Sequence, residues 1–257
     1  MRVSKLSIAL VLLAVCATAS FSLTTYVEWA YYGLTGGLST FGIHPVLMAA
    51  GFLILAPVAS VLFAVRDGLK VHSDDGKALF KMLHATLHLS ALLCGSFGLW
   101  SIWLTHERSR FQYHFQTLHS WFGIVGFGCY CIQWGAGACV FLLCPEAARA
   151  RFVDVHRWCG RILIYSLLIV CVMGSLACVW KNGLAEPHPH ASGLSDWVLQ
   201  NVGGCLMLVE LFVAYYLLER RAASRSSGPR TSRAPATGGQ RDRFGNATAP
   251  LSEPLLT

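Results

Sequence analysis

Charge is scarce in this chain: 13% of its 257 residues are Asp, Glu, Lys or Arg, against 54% hydrophobic residues. That balance excludes an ordinary water-soluble globule and marks a membrane protein. There is also no room between the apolar runs for a separate soluble domain. Carboxylates are few, and none stands close enough to the intramembrane histidines to complete a cluster for a hydrolytic metal. Ten cysteines are present without a single CxxC motif, and almost all fall inside apolar runs. They read as small buried hydrophobes rather than as a disulfide framework.

What remains is helix for a bilayer. A hydrocarbon core about 30 Å thick needs roughly 20 apolar residues per spanning helix. Six stretches qualify, at 6–27, 44–65, 82–104, 119–143, 158–179 and 197–218. The predicted fold is all-α with six transmembrane helices over residues 1–219, followed by an Arg/Ser/Pro/Gly-rich tail, 220–257, too polar to bury a core and expected to be disordered. One set of ends collects Arg2, Lys5, Arg66, Lys70, Lys77, Lys81, Arg149, Arg151, Arg157, Arg161 and the tail arginines. The other set has only Arg108, Arg110 and Lys181. The positive-inside rule makes the first set cytosolic, with both termini there. The formal charge of +7 is therefore a topology signal, compatible with a tail on anionic lipid and not a reason to expect nucleic acid. Ala17-Thr18-Ala19 resembles a signal-peptidase site, but apolar character continues through Phe21, Leu23, Tyr26 and Val27, so retention of the first helix is expected. The Asn246-Ala247-Thr248 sequon falls on the cytosolic side and is expected to go unused.

Ten histidines occur, and four stand out by position. His44 and His119 fall near the non-cytosolic ends of the second and fourth stretches, His84 and His156 near the cytosolic ends of the third and fifth. Ionisable side chains within a bilayer are costly and default to a functional reading. Two facing histidines per side are what two bis-histidine haems would need in the interior of a bundle of helices 2–5. Without a CxxCH motif, those haems would be of the non-covalent b type. Pro45 directly after His44 suits the first turn of a helix. His88 lies one turn deeper than His84 and competes with it as ligand; His84 is preferred because its depth mirrors that of His156. The glycines of these helices, Gly98, Gly123, Gly137, Gly160 and Gly174 among them, suit close helix packing and equally a flat macrocycle.

The text around these histidines resembles the cytochrome b-561 family. It consists of His44-Pro45-Val46-Leu47-Met48, Lys81-Met82-Leu83-His84, Leu118-His119-Ser120-Trp121-Phe122-Gly123, Tyr130, Gln133-Trp134, Gly137, His156, Gly160, Asn201 and Gly204. The resemblance implies six helices, two b haems and transfer of electrons from cytosolic ascorbate to monodehydroascorbate or ferric iron opposite, with homodimers in several members. It implies that Lys77, Lys81 and Arg149 hold ascorbate and that His106 stands at the opposite substrate mouth. Three positions depart from the family's pattern: Gln116 where an aromatic is usual, Phe141 for a tyrosine, and Val153-Asp154-Val155 where a proline is common. Ascorbate is a monoanion at neutral pH, so two lysines four apart with an arginine form a plausible receptor.

Other classes stay in view. A ferric-chelate reductase would dock its metal complex near His106 and His114. A di-iron or zinc enzyme would build on His84-x-x-x-His88. A cofactor-free transporter would use Glu210 as its intramembrane charge. The residues leave open whether the membrane is a vesicle, endosome, lysosome, vacuole or plasma membrane. Glu253-Pro254-Leu255-Leu256 hints at endosomal sorting but misses the usual acidic dileucine spacing.

Overall fold

The computed structural model describes residues 4–32, 40–108, 114–184 and 196–226, and among these every regular element is helical. In chain order they are α1 (Lys5–Tyr32), α2 (Thr40–Ala49), a π-helical stretch (Ala50–Leu55), α3 (Ala56–Gly68), α4 (Asp74–Arg108), α5 (Leu118–Ala138), a second π-helical stretch (Cys139–Leu143), α6 (Glu146–Leu184) and α7 (Asp196–Ser226). Six of the resulting rods are long and apolar enough to cross a membrane: Lys5–Val27, Phe41–Gly68, Asp74–Arg108, Leu118–Phe141, Glu146–Leu176 and Asn201–Ala223. α2, the first π stretch and α3 together make the second span.

The helices overrun the apolar stretches at their polar ends. α4 begins at Asp74, which carries Lys77 and Lys81 on its first turns, and α6 begins at Glu146, which places His156 nearly three turns inside it. α2 starts at Thr40, so Pro45 sits within the helix rather than in its first turn. There it removes one backbone hydrogen bond from the turn that carries His44. α5 opens on a cap: Thr117 is extended, and its hydroxyl oxygen accepts from the Ser120 N–H at 3.2 Å. α7 continues through Arg220 and Arg221 to Ser226. The rest of the tail, the sequon, His188 and His190 lie outside the described residues.

The second to fifth spans pack side by side around a common axis, each touching the next and the fifth closing on the second. α1 and α7 pair with each other and cover the flank formed by the second and fifth spans. Small residues allow the closest approach: a Cβ on Gly51 would lie 3.1 Å from the Ala91 carbonyl oxygen. Phe52, Leu53, Ala56, Ala91, Tyr130 and Leu168 are buried inside, while Val11, Phe97, Trp100, Val125, Ile132 and Phe212 face outward. Outward apolar side chains are what lipid requires.

Candidate functional site

The four singled-out histidines meet in two pairs, one at each end of the bundle. The rings of His44 and His119 have centroids 6.3 Å apart, and those of His84 and His156 6.5 Å apart. Each pair joins spans that face one another across the axis, second to fourth and third to fifth. Two imidazoles sharing one metal, with bonds of about 2.0–2.1 Å and about 1 Å more from each nitrogen to its ring centre, stand just over about 6 Å apart. Both pairs match that separation.

The rings are also oriented for it. His44 Nδ1 donates to the Gly98 carbonyl at 3.1 Å, His84 Nδ1 to Ala59 at 2.9 Å and His119 Nδ1 to Val170 at 3.0 Å. A carbonyl oxygen only accepts, so the proton sits on Nδ1 and Nε2 keeps its lone pair for a metal. Metal-ligating histidines are held in this way. His156 is the exception, having the side-chain amide of Gln133 3.0 Å from its Nδ1.

These anchors follow a register. Gly98 is fourteen residues after His84, Gln133 fourteen after His119, and Val170 fourteen after His156. Four turns of α-helix hold about 14.4 residues, so ligand and anchor share a face with a rise of about 21 Å between them. In the second span Ala59 is fifteen residues after His44. The extra residue is taken up by the π-helical Ala50–Leu55, whose wider turns restore the common face. Each of the second to fifth spans therefore presents a histidine at one tier and a hydrogen-bond partner at the other.

Two glycines cradle ligand rings. A Cβ on Gly174 would come within 2.8 Å of His119 Cε1, and one on Gly137 within 2.8 Å of His156 Cε1. A Cβ at either position would force the ring to shift, and the donor set, its ring separations and its Nδ1 anchors fit two bis-histidine haems. His88 is engaged elsewhere: its Nδ1 lies 2.7 Å from the Tyr130 hydroxyl, and its ring packs edge-on against His84 at 4.5 Å. Tyr130 stacks edge-on with Phe52 at 5.4 Å, and Phe52 with Phe127 at 6.3 Å, which fills the space between the tiers with aromatic rings. Among the described residues no group of three or more His, Cys, Asp or Glu side chains is placed to hold a metal ion.

At the His84–His156 end, Lys77 pairs with Asp74 at 2.8 Å, an exposed contact worth little on its own. Lys81 is exposed one turn before His84. Arg149, two turns before His156, has a buried Nε without a hydrogen-bond partner. At the opposite end the His106 ring lies 5.3 Å from that of His114, which stacks on Trp103 at 4.2 Å and meets Glu107 at 3.2 Å. Glu210 is fully buried on α7, and neither of its oxygens has a hydrogen-bond partner.

Sequence reasoning gave no role to Ala59 or Val170 and read Gly98 only as a packing glycine, because a backbone acceptor leaves no mark on residue type. Gln133 was visible as part of Gln133-Trp134 but without a function. The geometry supplies one for each half: Gln133 reaches His156, and Trp134 Nε1 donates to the Ala85 carbonyl at 3.2 Å.

Known proteins share this text. The family described as eukaryotic cytochrome b561 matches residues 43–181, more than half the chain and the whole of the two-tier region. A lysosomal membrane ascorbate-dependent ferrireductase of Mus musculus is 34% identical over 209 residues, covering 78% of this chain and 82% of that protein. A protein of the same name from Bos taurus is 30% identical over 264 residues, 95% of each. A plasma membrane ascorbate-dependent reductase of Xenopus laevis is 28% identical over 192 residues, 74% of this chain and 65% of that one. With all four paired histidines inside the matched segment, the chain belongs to the eukaryotic cytochrome b561 family.

Proposed function

We propose that this protein carries electrons across a membrane from ascorbate at the His84–His156 end to an acceptor at the His44–His119 end, each histidine pair holding one b haem. The observation that carries the reading is the pair of ring separations, 6.3 and 6.5 Å, at opposite ends of one bundle. When bound, the two haems supply one-electron stations that divide a hydrocarbon layer of about 30 Å too wide for direct transfer. The chain's own residues do the rest. The carbonyls of Gly98, Ala59 and Val170 fix three imidazoles as neutral Nδ1–H tautomers. Two histidines per site would leave a bound haem no open position for oxygen, which favours electron transfer over oxygen chemistry.

Ascorbate binding is assigned to Lys77, Lys81 and Arg149, at the end that the excess of basic residues makes cytosolic. The buried, unpartnered Arg149 Nε supports this, because an anion would satisfy it. The acceptor is monodehydroascorbate or a ferric chelate. The stack of His106 on His114 with Glu107 beside it favours the ferric complex, for which neutral and anionic donors suit the metal. The relatives' names place them in lysosomal and plasma membranes, and this chain is assigned to one of these.

The test is a proteoliposome loaded with ascorbate and supplied externally with an impermeant ferric chelate or with monodehydroascorbate. Purified protein is expected to be red, to hold two haems per chain and to reduce the external acceptor only when ascorbate is trapped inside. A colourless preparation would overturn the reading.

A further inference from the structure

Three of the four ligand rings are anchored by main chain, which no substitution can delete. The fourth is anchored by a side chain. We propose that Gln133 is the positioning residue of the His84–His156 haem, its amide fixing the rotation of the His156 ring and setting which ring nitrogen carries the proton. The inference rests on the haem reading above and names a residue that this reading does not assign.

The argument begins with register. In each of the other three spans, the residue at the anchor position offers its carbonyl to the neighbouring ring. In α5 the same position is Gln133, and its side chain stands between the backbone and His156. Its Nε2 donates to the His156 carbonyl at 2.7 Å and lies 3.0 Å from His156 Nδ1. A Cβ on Gly160 would lie 3.3 Å from the same nitrogen, so the amide has little room to move away. Gly137, four residues on, closes the other side of the ring.

An amide differs from a carbonyl in what it offers. It carries both a donor and an acceptor, and their exchange is a rotation about one torsion. With its nitrogen toward Nδ1, as in this structure, it favours the proton on Nε2, which would oppose ligation there; turning its oxygen toward Nδ1 favours the ligating tautomer, at the cost of the bond from Nε2 to the His156 carbonyl. Gln133 therefore governs whether His156 is presented as a ligand and how strongly it donates to the metal. His44, His84 and His119 have no such choice.

The experiment uses full-length protein purified with its haems, in wild-type, Gln133→Leu and Gln133→Glu forms. Haem content, the two midpoint potentials and the low-spin ferric electron paramagnetic resonance signals are measured. The signal lost in His119→Ala identifies the other tier. Gln133→Glu, a stronger acceptor, is expected to lower the midpoint of the His84–His156 haem, changing its reduction equilibrium about tenfold, or 59 mV for one electron. Gln133→Leu, with no acceptor, is expected to raise that midpoint or weaken haem binding at that tier by about 10–100-fold. Loss of that haem in the Leu form with retention in the Glu form supports the proposal equally. An unchanged midpoint and resonance signal in Gln133→Glu would overturn it, as would equal displacement of both haems. A haem-free wild-type protein would instead overturn the function proposed above.

Discussion

In the proposed haem arrangement the four histidines work as two pairs, one at each end of the bundle, and substitution should therefore act tier by tier. Replacing His44 or His119 with Ala is expected to reduce haem from two per chain to one and to remove the same spectral component in both cases. Replacing His84 or His156 removes the other component. His88→Ala is expected to retain more haem than any of these four, because it is the His84 ring that stands 6.5 Å from that of His156 across the bundle. Haem-to-protein ratios decide this, and loss of one full haem in His88→Ala would transfer the ligand role to it. The glycine cradles make a sharper residue-scale test. Gly174→Leu places its Cβ 2.8 Å from His119 Cε1, with further carbons beyond, and is expected to lose only the His44–His119 haem. Gly128, whose Cβ would have nothing within 4 Å, is expected to tolerate Ala without change in either component.

A proposed ligand and an anchor share each of the second to fifth spans, so helical phase is the critical quantity at the level of the element. Residues advance about 100° apiece at 3.6 per turn, and one misplaced residue turns a ring off the axis. The second span carries one more residue between ligand and anchor than the other three, and its π-helical turn takes up the surplus. Deleting Ile54 from that turn is expected to leave a continuous α-helix with the common spacing and to preserve both haems. Deleting Leu92 from α4, where the spacing is already fourteen, is expected to cost at least one. Spectra of the two deletions side by side provide the check; loss in both would mean that the π turn does more than correct register. This is also where sequence reading reached its limit. Six spans, their order and the histidine at each end were legible, because apolar length and an isolated imidazole are written in residue types. Helix ends were not, since α4 and α6 run on through charged turns such as Asp74–Lys81 and Glu146–Arg151, where hydropathy gives no signal. Nor was the π turn, which is a property of hydrogen bonding rather than composition. Pro45 was placed in a first turn because proline favours that position, whereas packing of α2 against α4 and α1 extends the helix upstream of it.

Taken whole, the molecule puts Lys77, Lys81 and Arg149, the proposed anion receptor, at one end and the stacked rings of Trp103, His114 and His106, the proposed acceptor mouth, at the other, with about 21 Å of helix rise between the tiers. Receptor and relay should be separable. Lys81→Ala and Arg149→Ala are expected to raise the ascorbate concentration for half-maximal reduction about tenfold while leaving haem content intact, with Arg149 the more sensitive because its Nε is buried. Titration of haem reduction against ascorbate reads this directly, and an unchanged half-maximum would return both residues to a purely topological role. Direction follows from the same polarity. Moving one electron outward through an inside-negative potential gains about 2.3 kcal/mol per 100 mV for a full crossing. If half of that is felt at the transition state, the rate rises about sevenfold. Ascorbate-loaded proteoliposomes holding a valinomycin-imposed potential of that sign are expected to reduce an external ferric chelate several-fold faster than unpolarised ones, and to slow when the sign is reversed. A rate indifferent to the potential would place the slow step outside the membrane field, in substrate docking at either mouth rather than in passage between the tiers.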